Sequence, residues 1–466
     1  MSKPDIEILN GVKKIHLIGI GGIGMSGIAE FLVKKGYNVS GSDMTLTHIT
    51  DRLAGMGVKI SEGHNGEYLS RDTDLVVYTA AVKEDNPEYK KAGVYQTKMI
   101  KRAAMLGHLV NGMYLIGVSG THGKTTTTSM IAKVLIDNGY DPTVFVGGGL
   151  DFLEGGSSRI GDSNYAVVEA DEYDRSFHTL RPDIAVITNI EHDHSDIYSN
   201  LDAIKKGFSE YIMGLKKDGT IIAFGDDKNV KAVVKKSGIK NVQYYGFKLG
   251  NDYRLKNVKY SKNGVDFVLK KKIVHLNQFG DHNMLNAAAA RIVAKIIDIK
   301  FKGFQKSIDD FKGVHRRLEL KYDGDVKVFD DYAHHPTEVN ATMDAVDKMN
   351  PKRIVTVFQP HLYSRTKDFY SEFADSLKKN DMIILAKIYP AREAPIEGVT
   401  SKLIYDSLSA KDKNKALYIE DEKDIYRSLY ENMKEGDYII FMGAGTVTDY
   451  CNEFVTMLHK REEMMS

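Results

Sequence analysis

One segment, Gly117-Val-Ser-Gly-Thr-His-Gly-Lys-Thr-Thr-Thr-Thr128, narrows the folds open to this chain more than any other. It follows an apolar run, Tyr114, Leu115 and Ile116, and precedes Met130, Ile131, Val134 and Leu135, apolar at helical spacing. A buried strand, a glycine-rich turn and a helix opening on Lys-Thr form the layout of a phosphate-binding loop in an α/β sheet. The N–H groups of such a loop and the helix N-terminus face one concavity that takes the oxygens of a polyphosphate. Lys124 then reaches the β- and γ-phosphates and the Thr125 hydroxyl ligates Mg²⁺. ATP or GTP binding is the expectation. The strict Gly-x4-Gly-Lys pattern asks for glycine at 118, where this chain has Val118.

The rest of the chain repeats this alternation. Strands are expected at 13–20, 38–41, 75–78, 115–118, 166–169, 184–188 and 221–224, then at 326–329, 354–358, 382–385 and 438–442. Helical patterns fall between most of them, for example at 25–35, 282–297 and 337–349. Strand–helix alternation with short Gly/Asp turns argues an α/β fold with largely parallel sheets. The polar interval 244–274 alternates like antiparallel hairpins and predicts a small β layer. Glycine-rich turns follow apolar strands near 19–24, 117–125 and 443–446, and 466 residues are long for one domain. The expected division is 1–108, 109–314 and 315–466.

Composition excludes several classes. Lys and Arg number 64 against 63 Asp and Glu, so there is no nucleic-acid footprint and no acidic tail. Cys451 is the only cysteine, which rules out a disulfide within the chain and suits a reducing compartment. No signal-peptide core and no apolar run long enough to span a bilayer occur, so a soluble cytoplasmic protein is expected.

Several strand exits carry chemistry. Gly19-Ile-Gly-Gly-Ile-Gly24, with Asp43 nineteen residues on, has the form of a dinucleotide fingerprint in which Asp43 holds a ribose hydroxyl. Physically the glycines let a backbone turn approach any pyrophosphate, that of a UDP-sugar as well as that of NAD. Glu169-Ala-Asp-Glu-Tyr-Asp174 places four carboxylates at a strand end, where a nucleotide's Mg²⁺ is held. Asn189-Ile-Glu-His-Asp-His-Ser-Asp196 is dense in ligand types but matches no zinc spacing. Arg316 and Arg317 can reach phosphates bidentately. Asp330–Glu338 and Phe358–Thr366 crowd acids, histidines and an arginine at two further strand exits. Open α/β sheets bind ligands at these C-terminal strand ends.

Taken in order, these motifs resemble the ATP-dependent Mur ligases of bacterial cell-wall synthesis. The resemblance rests on Gly19-x-Gly-Gly-x-Gly-Met-Ser-Gly-Ile-Ala29, Gly120-Thr-His-Gly-Lys-Thr-Thr-Thr-Thr128, Glu169-Ala-Asp-Glu172 and Asp281-His-Asn-x-x-Asn286. It rests equally on Asp330-Asp-Tyr-Ala-His-His-Pro-Thr-Glu338, Phe358-Gln-Pro-His-x-Tyr-Ser-Arg-Thr366 and Gly443-Ala-Gly445. It accounts for Val118, because the family's loop is Gly-Thr-x-Gly-Lys-Thr. It implies a Rossmann-like UDP-sugar domain, a central P-loop ATPase and a Rossmann-like C-terminal domain. Gly21, Gly22, Ile23, Gly24, Met25, Ser26 and Asp43 would hold the UDP-sugar, which displaces NAD. Gly120, Thr121, His122, Gly123, Lys124, Thr125 and Thr126 would hold ATP, with Asn283, Asn286, Arg317, Asp331 and His335 as further nucleotide contacts. Thr125, Glu169 and His194 would form the Mg²⁺ site, and His361 and Arg365 would handle the incoming amine.

The implied reaction joins L-alanine to the carboxylate of UDP-N-acetylmuramate through an acyl phosphate. Lys124, Mg²⁺ and loop N–H groups would offset the repulsion between two anions, and His194 or His361 would take the proton of the amine. Ser209 stands where several relatives carry a carbamate-modified lysine, so no carbamate bridge is expected. Tyr173 is shared with the ligase that attaches a ready-made tripeptide to the same UDP-sugar. The 330–338 and 361–366 segments match the alanine-adding form, so alanine is the expected substrate and tripeptide the alternative. A nicotinamide dehydrogenase would leave Lys124 and the acidic clusters unexplained. An ATP-hydrolysing regulator would leave 330–338 and 361–366 without a purpose.

Overall fold

The structure, a computed structural model, describes residues 7–153, 156–192, 197–391 and 393–465. Two compact units emerge. The first takes in the chain up to Lys259, Asp266–Asn277 and Leu285–Phe311; the second takes in Tyr260–Val265, Gln278–Met284 and the chain from Lys312 onward.

The first unit opens with a five-stranded, all-parallel sheet in the order Lys59–Glu62, Asn38–Asp43, Lys14–Ile18, Leu75–Tyr78 and Lys98–Lys101. The strand order reverses between Lys14–Ile18 and Leu75–Tyr78, which opens a crevice beyond their C-terminal ends. The first strand was expected to run to residue 20. It ends at Ile18 because Gly19 turns at φ +82°. An eight-stranded sheet follows, with Tyr114–Ser119 between Ile184–Ile187 and Tyr165–Glu169. All its pairings are parallel except that of Thr143–Phe145 with Ser158–Arg159. Apolar residues of both sheets and their helices, from Leu17 and Ile28 to Leu115, Ala185 and Ile221, form one continuous core.

The polar interval folds as a three-stranded sheet of Lys256–Ser261, Gly264–Leu269 and Lys272–Leu276. Two-residue connections permit only hairpins, and the second is turned by Lys270 (φ +46°) and Lys271 (φ +66°) without a glycine. The expected small β layer is therefore present, but it starts about a dozen residues later than residue 244.

The second unit is built on a six-stranded sheet in the order Glu319–Asp323, Lys327–Asp331, Asp437–Met442, Arg353–Phe358, Met382–Leu385 and Ala416–Tyr418. Only the first pair is antiparallel. Strand residues alternate faces. Ile439 and Phe441 pack with Cys451 and Phe454 of the last helix, whereas Ile440 and Met442 pack with Val339 and Met343 of the helix Pro336–Lys348. A sheet buried on both faces needs continuous apolar strands, which is how Ile439–Met442 reads.

Candidate active site

Phosphate-type geometry is most complete after the strand Tyr114–Ser119. Val118 is fully buried inside that strand, in register with Glu169 and Val186, so the loop proper begins at Gly120. Gly120 has φ +143°, and a Cβ there would lie 1.9 Å from Thr188 Oγ1. Gly123 has φ +81°, and a Cβ there would lie 2.9 Å from Asn286 Oδ1. Neither position admits a side chain. Asn189 Oδ1 accepts the His122 N–H (2.8 Å), and Thr188 Oγ1 donates to the His122 carbonyl (2.6 Å). Glu191 N donates to Thr121 Oγ1 (2.9 Å), and Thr127 Oγ1 donates to Asn286 Oδ1 (2.9 Å). Residues 188–191 thus brace the loop from outside. No side chain caps the helix Lys124–Asp137, which leaves its first N–H groups to the concavity.

Lys124 Nζ donates to the carbonyls of Gly120 (2.7 Å) and Thr121 (3.2 Å) and pairs with Glu172 at 2.8 Å. Burial alone would favour the neutral amine, but Glu172, Asp171 and Glu169 more than offset it and hold Lys124 firmly charged. Thr125 Oγ1 donates to Glu169 Oε1 (2.9 Å), and Gly147 N donates to Glu169 Oε2 (2.6 Å). Burial pushes the Glu169 carboxyl up, against the pull of Lys124 and of the Gly147 N–H. A hydroxyl beside a half-buried carboxylate with a raised pKa is a hard-oxygen pair that a divalent cation would satisfy, so the residues present fit Mg²⁺. His194 lies outside the described residues. Of the described carboxylates in the acidic cluster, Glu172 pairs directly with the lysine. Sequence reasoning did not separate it from its neighbours, and it missed the bracing role of Thr188 and Asn189.

The glycine turn of the first sheet is equally tight. Gly19 N donates to the Ser42 carbonyl (2.8 Å), and a Cβ at Gly19 would meet Thr79 Cγ2 at 2.5 Å. Asp43 Oδ2 accepts the Gly21 N–H (2.8 Å), so this carboxylate holds the loop's shape. Gly22 ends the turn, and no side chain caps the helix Ile23–Lys34 that follows. Met25 and Ser26 are buried within that helix, while Ile23 and Gly24 stay exposed at its start. A cavity of about 570 Å³ opens here, lined by Gly19, Gly21, Gly22, Asp43, His64 and Thr79 among others.

In the second unit both arginines lie over the Tyr332 ring, Arg316 at 4.8 Å and Arg317 at 5.1 Å, but their polar ends go to different partners. Arg316, at φ +58°, donates through Nη2 to the carbonyls of Gly443 (2.9 Å) and Gly445 (3.2 Å), which makes it a clamp on that loop. Arg317 lies over the Tyr332 ring (5.1 Å), with Nη1 at 3.5 Å from Glu338. Asp331 accepts from Thr342 Oγ1 (2.5 Å) and from Ala333 N (3.0 Å), and burial pushes its carboxyl up to about 6. His335 caps the helix Pro336–Lys348, and its ring meets Phe369 edge-on. His361 stacks on Tyr389 (5.8 Å, 19°), with Arg365 Nη1 at 3.3 Å from its Nδ1 and His334 at 5.7 Å. The structure therefore gathers Arg317, Asp331 and Glu338, and His334, with Nδ1 3.2 Å from Glu338, connects them to His361 and Arg365. Asn283 Nδ2 donates to the Phe279 carbonyl (2.9 Å), a local contact at the start of its helix. Ser209 Oγ likewise donates locally, to the Lys205 carbonyl (2.9 Å). Among the described residues no helix is long and apolar enough to cross a membrane.

Comparison with known proteins agrees along the length of the chain. Residues 14–114 match the Mur ligase family catalytic domain, 118–294 the Mur ligase middle domain and 316–445 the Mur ligase glutamate ligase domain. The chain is 42% identical over 449 residues to a UDP-N-acetylmuramate–L-alanine ligase of Clostridium tetani, covering 95% of this chain and 97% of the relative. It is 44% identical over 444 residues to the enzyme of the same name from Clostridium botulinum, covering 93% and 96%. The fold superposes on the UDP-N-acetylmuramate-alanine ligase of Thermotoga maritima with a TM-score of 0.82 at 28% identity, over 96% of this chain and 99% of that one. This chain belongs to the Mur ligase family.

Proposed function

We propose that this enzyme uses ATP to join L-alanine to the carboxylate of UDP-N-acetylmuramate, releasing ADP and phosphate, in peptidoglycan precursor synthesis. The observation that carries the reading is the phosphate loop, with Lys124 at its centre and the Thr125–Glu169 oxygen pair beside it. The named relatives at 42% and 44% identity support the choice of substrates. The reaction belongs to the cytoplasm, where ATP and sugar nucleotides are available.

Residues 1–108 would take the UDP-sugar, with Gly21 to Ser26 and the brace of Asp43 around its diphosphate. Residues 109–314 would take ATP on Gly120–Thr126 and Asn286. Residues 315–466 would bring Arg317, Asp331 and His335 to the nucleotide, with Asn283 a further contact, and His361 and Arg365 to the amine. Thr125, Glu169 and His194 would hold Mg²⁺, which when bound supplies positive charge to the phosphate oxygens.

A carboxylate is too weak an electrophile for an amine, so one of its oxygens first attacks the γ-phosphorus and displaces ADP. Lys124 and the loop N–H groups screen the two anions from each other during that attack. To do so Lys124 must exchange the carbonyls of Gly120 and Thr121 for phosphate oxygens. The alanine amine then attacks the acyl carbon and phosphate departs. Arg365, nine-tenths buried, lies with Nη1 3.3 Å from His361 Nδ1, and His361 would take the amine's proton on that nitrogen once the amine displaces the arginine from it.

The test is phosphate release from ATP and Mg²⁺ with UDP-N-acetylmuramate, adding L-alanine or the tripeptide separately. Release that needs both the sugar nucleotide and alanine is the expected result. Release only with tripeptide would reassign the amine, and release without the sugar nucleotide would sink the proposal.

A further inference from the structure

Beneath the cavity of the first sheet lies a buried polar network that the reaction scheme does not use. Glu88, in the first turn of the helix Pro87–Tyr95, is fully buried. Three side chains converge on its carboxylate: His16 Nε2 at 2.6 Å, Ser42 Oγ at 2.8 and 2.9 Å, and His64 Nδ1 at 2.9 Å. His16 is itself 1% exposed, and its Nδ1 lies 2.9 Å from Ser40 Oγ. Although burial opposes the charge, the contacts from His16, Ser42 and His64 hold the Glu88 carboxyl below its ordinary range. An ionised carboxylate only accepts hydrogen bonds, so both imidazoles must turn an N–H toward it. For His16 that proton is on Nε2, which leaves Nδ1 to accept from the Ser40 hydroxyl. In the neutral His64 ring it is on Nδ1, which leaves Nε2 as the acceptor.

His64 is the member of this network that lines the cavity, and its side chain is 17% exposed. We infer that Glu88 is a positioning residue that locks His64 in its Nδ1–H tautomer, so that Nε2 accepts a hydrogen bond from the nucleoside half of the substrate. The inference rests on the reading that this cavity takes the UDP-sugar. Two groups of a uridine offer the required donor, the uracil N3–H and a ribose hydroxyl. An acceptor at this point also discriminates by base, because cytosine presents an unprotonated N3 where uracil presents N3–H. A carboxylate that served packing alone would not need two histidines oriented by it, with one of them at the cavity wall.

The experiment is calorimetric titration of the full chain with UDP-N-acetylmuramate, its N3-methyl analogue and its deoxyribose analogues. Wild type, His64→Ala, His64→Gln and Glu88→Gln are compared, with histidine tautomers read from imidazole ¹⁵N shifts. One analogue should bind wild type about tenfold more weakly yet bind His64→Ala no worse than the parent does, since the bond it lacks is already gone. Which analogue does so identifies the donor. His64→Gln, which keeps an acceptor oxygen, should retain more affinity than His64→Ala. In Glu88→Gln the side-chain amide can donate to Nδ1, so the His64 proton should move to Nε2. The KM for the sugar nucleotide should then rise about tenfold while the KM for ATP stays put. Analogues that lose equally on wild type and His64→Ala would overturn the inference, and so would an unchanged tautomer in Glu88→Gln. The analogue series on wild type and His64→Ala decides even if Glu88→Gln does not fold. If wild type itself fails to bind UDP-N-acetylmuramate, the assignment of the cavity falls first and this inference falls with it.

Discussion

Replacing Asp331 by Asn should stabilise the second unit at neutral pH while impairing the enzyme. Asp331 is 3% exposed, and burial raises its carboxyl from 3.8 to about 6, against the opposing pull of Thr342, Arg317 and the Ala333 N–H. A carboxyl that ionises less readily folded than unfolded binds protons more tightly in the native state. Its ionisation therefore works against folding once the pH exceeds the unfolded value. The penalty grows from pH 4 to pH 6 and is then constant. A displacement of about two pH units at roughly 1.4 kcal/mol each makes it about 3 kcal/mol. Asparagine is nearly isosteric: its oxygen can accept from Ala333 N, and its amide can donate to Thr342 Oγ1 once that hydroxyl rotates. Opening free energies of the strand Lys327–Asp331, measured by native-state hydrogen exchange, should rise by about 2–3 kcal/mol at pH 8. The gain should shrink steadily between pH 6 and pH 4. A variant no more stable than wild type at pH 8, or a gain that ignores pH, would refute the argument that burial of this charge strains the unit. The accompanying loss of ligation would make Asp331 a charge kept for function against stability.

Other substitutions probe the loop and the cation pair. Gly120→Ala adds a Cβ 1.9 Å from Thr188 Oγ1 at φ +143°, and overpacking with backbone strain should cost about 2–4 kcal/mol in the first unit. Adding Thr188→Ala should recover part of that cost, as a thermal-unfolding comparison of single and double variants would show. Lys124→Met should slow ATP consumption by about 10²–10³-fold or more, and a smaller loss in stopped-assay rates would move the charge-screening role elsewhere. Glu169→Gln should raise the Mg²⁺ concentration needed for half-maximal rate by about 10–100-fold, and an unchanged Mg²⁺ titration would remove Glu169 from the metal site.

What the sequence disclosed, and what it concealed, follows from the range of the forces involved. Strands such as Leu75–Tyr78 and Met382–Leu385 were readable to the residue, because continuous apolar runs bounded by polar turns leave the chain little choice. The glycine turns at 19 and 120 were readable because both adopt backbone angles that suit glycine. Val118 departs from the strict loop pattern, but the strand expected at 115–118 already held it, and inside the strand it is an ordinary core residue. Glu88 shows the opposite case. In Asn86-Pro87-Glu88 it has the pattern of an acid in the exposed first turn of a helix, yet it is fully buried. Its partners His16, Ser42 and His64 are 72, 46 and 24 residues away, and no local pattern announces them. Glu172 was hidden in the same manner among neighbouring acids, since only the fold selects which of them meets Lys124.

Activation of the carboxylate by phosphoryl transfer is the claim on which the whole scheme depends, and oxygen tracing tests it directly. UDP-N-acetylmuramate labelled with ¹⁸O in both carboxylate oxygens should be turned over with ATP, Mg²⁺ and L-alanine, and the phosphate analysed by mass spectrometry. An acyl phosphate intermediate predicts one ¹⁸O in each phosphate released and one retained in the new amide. Phosphate free of label would mean that the carboxylate never attacked the γ-phosphorus, and would contradict the account.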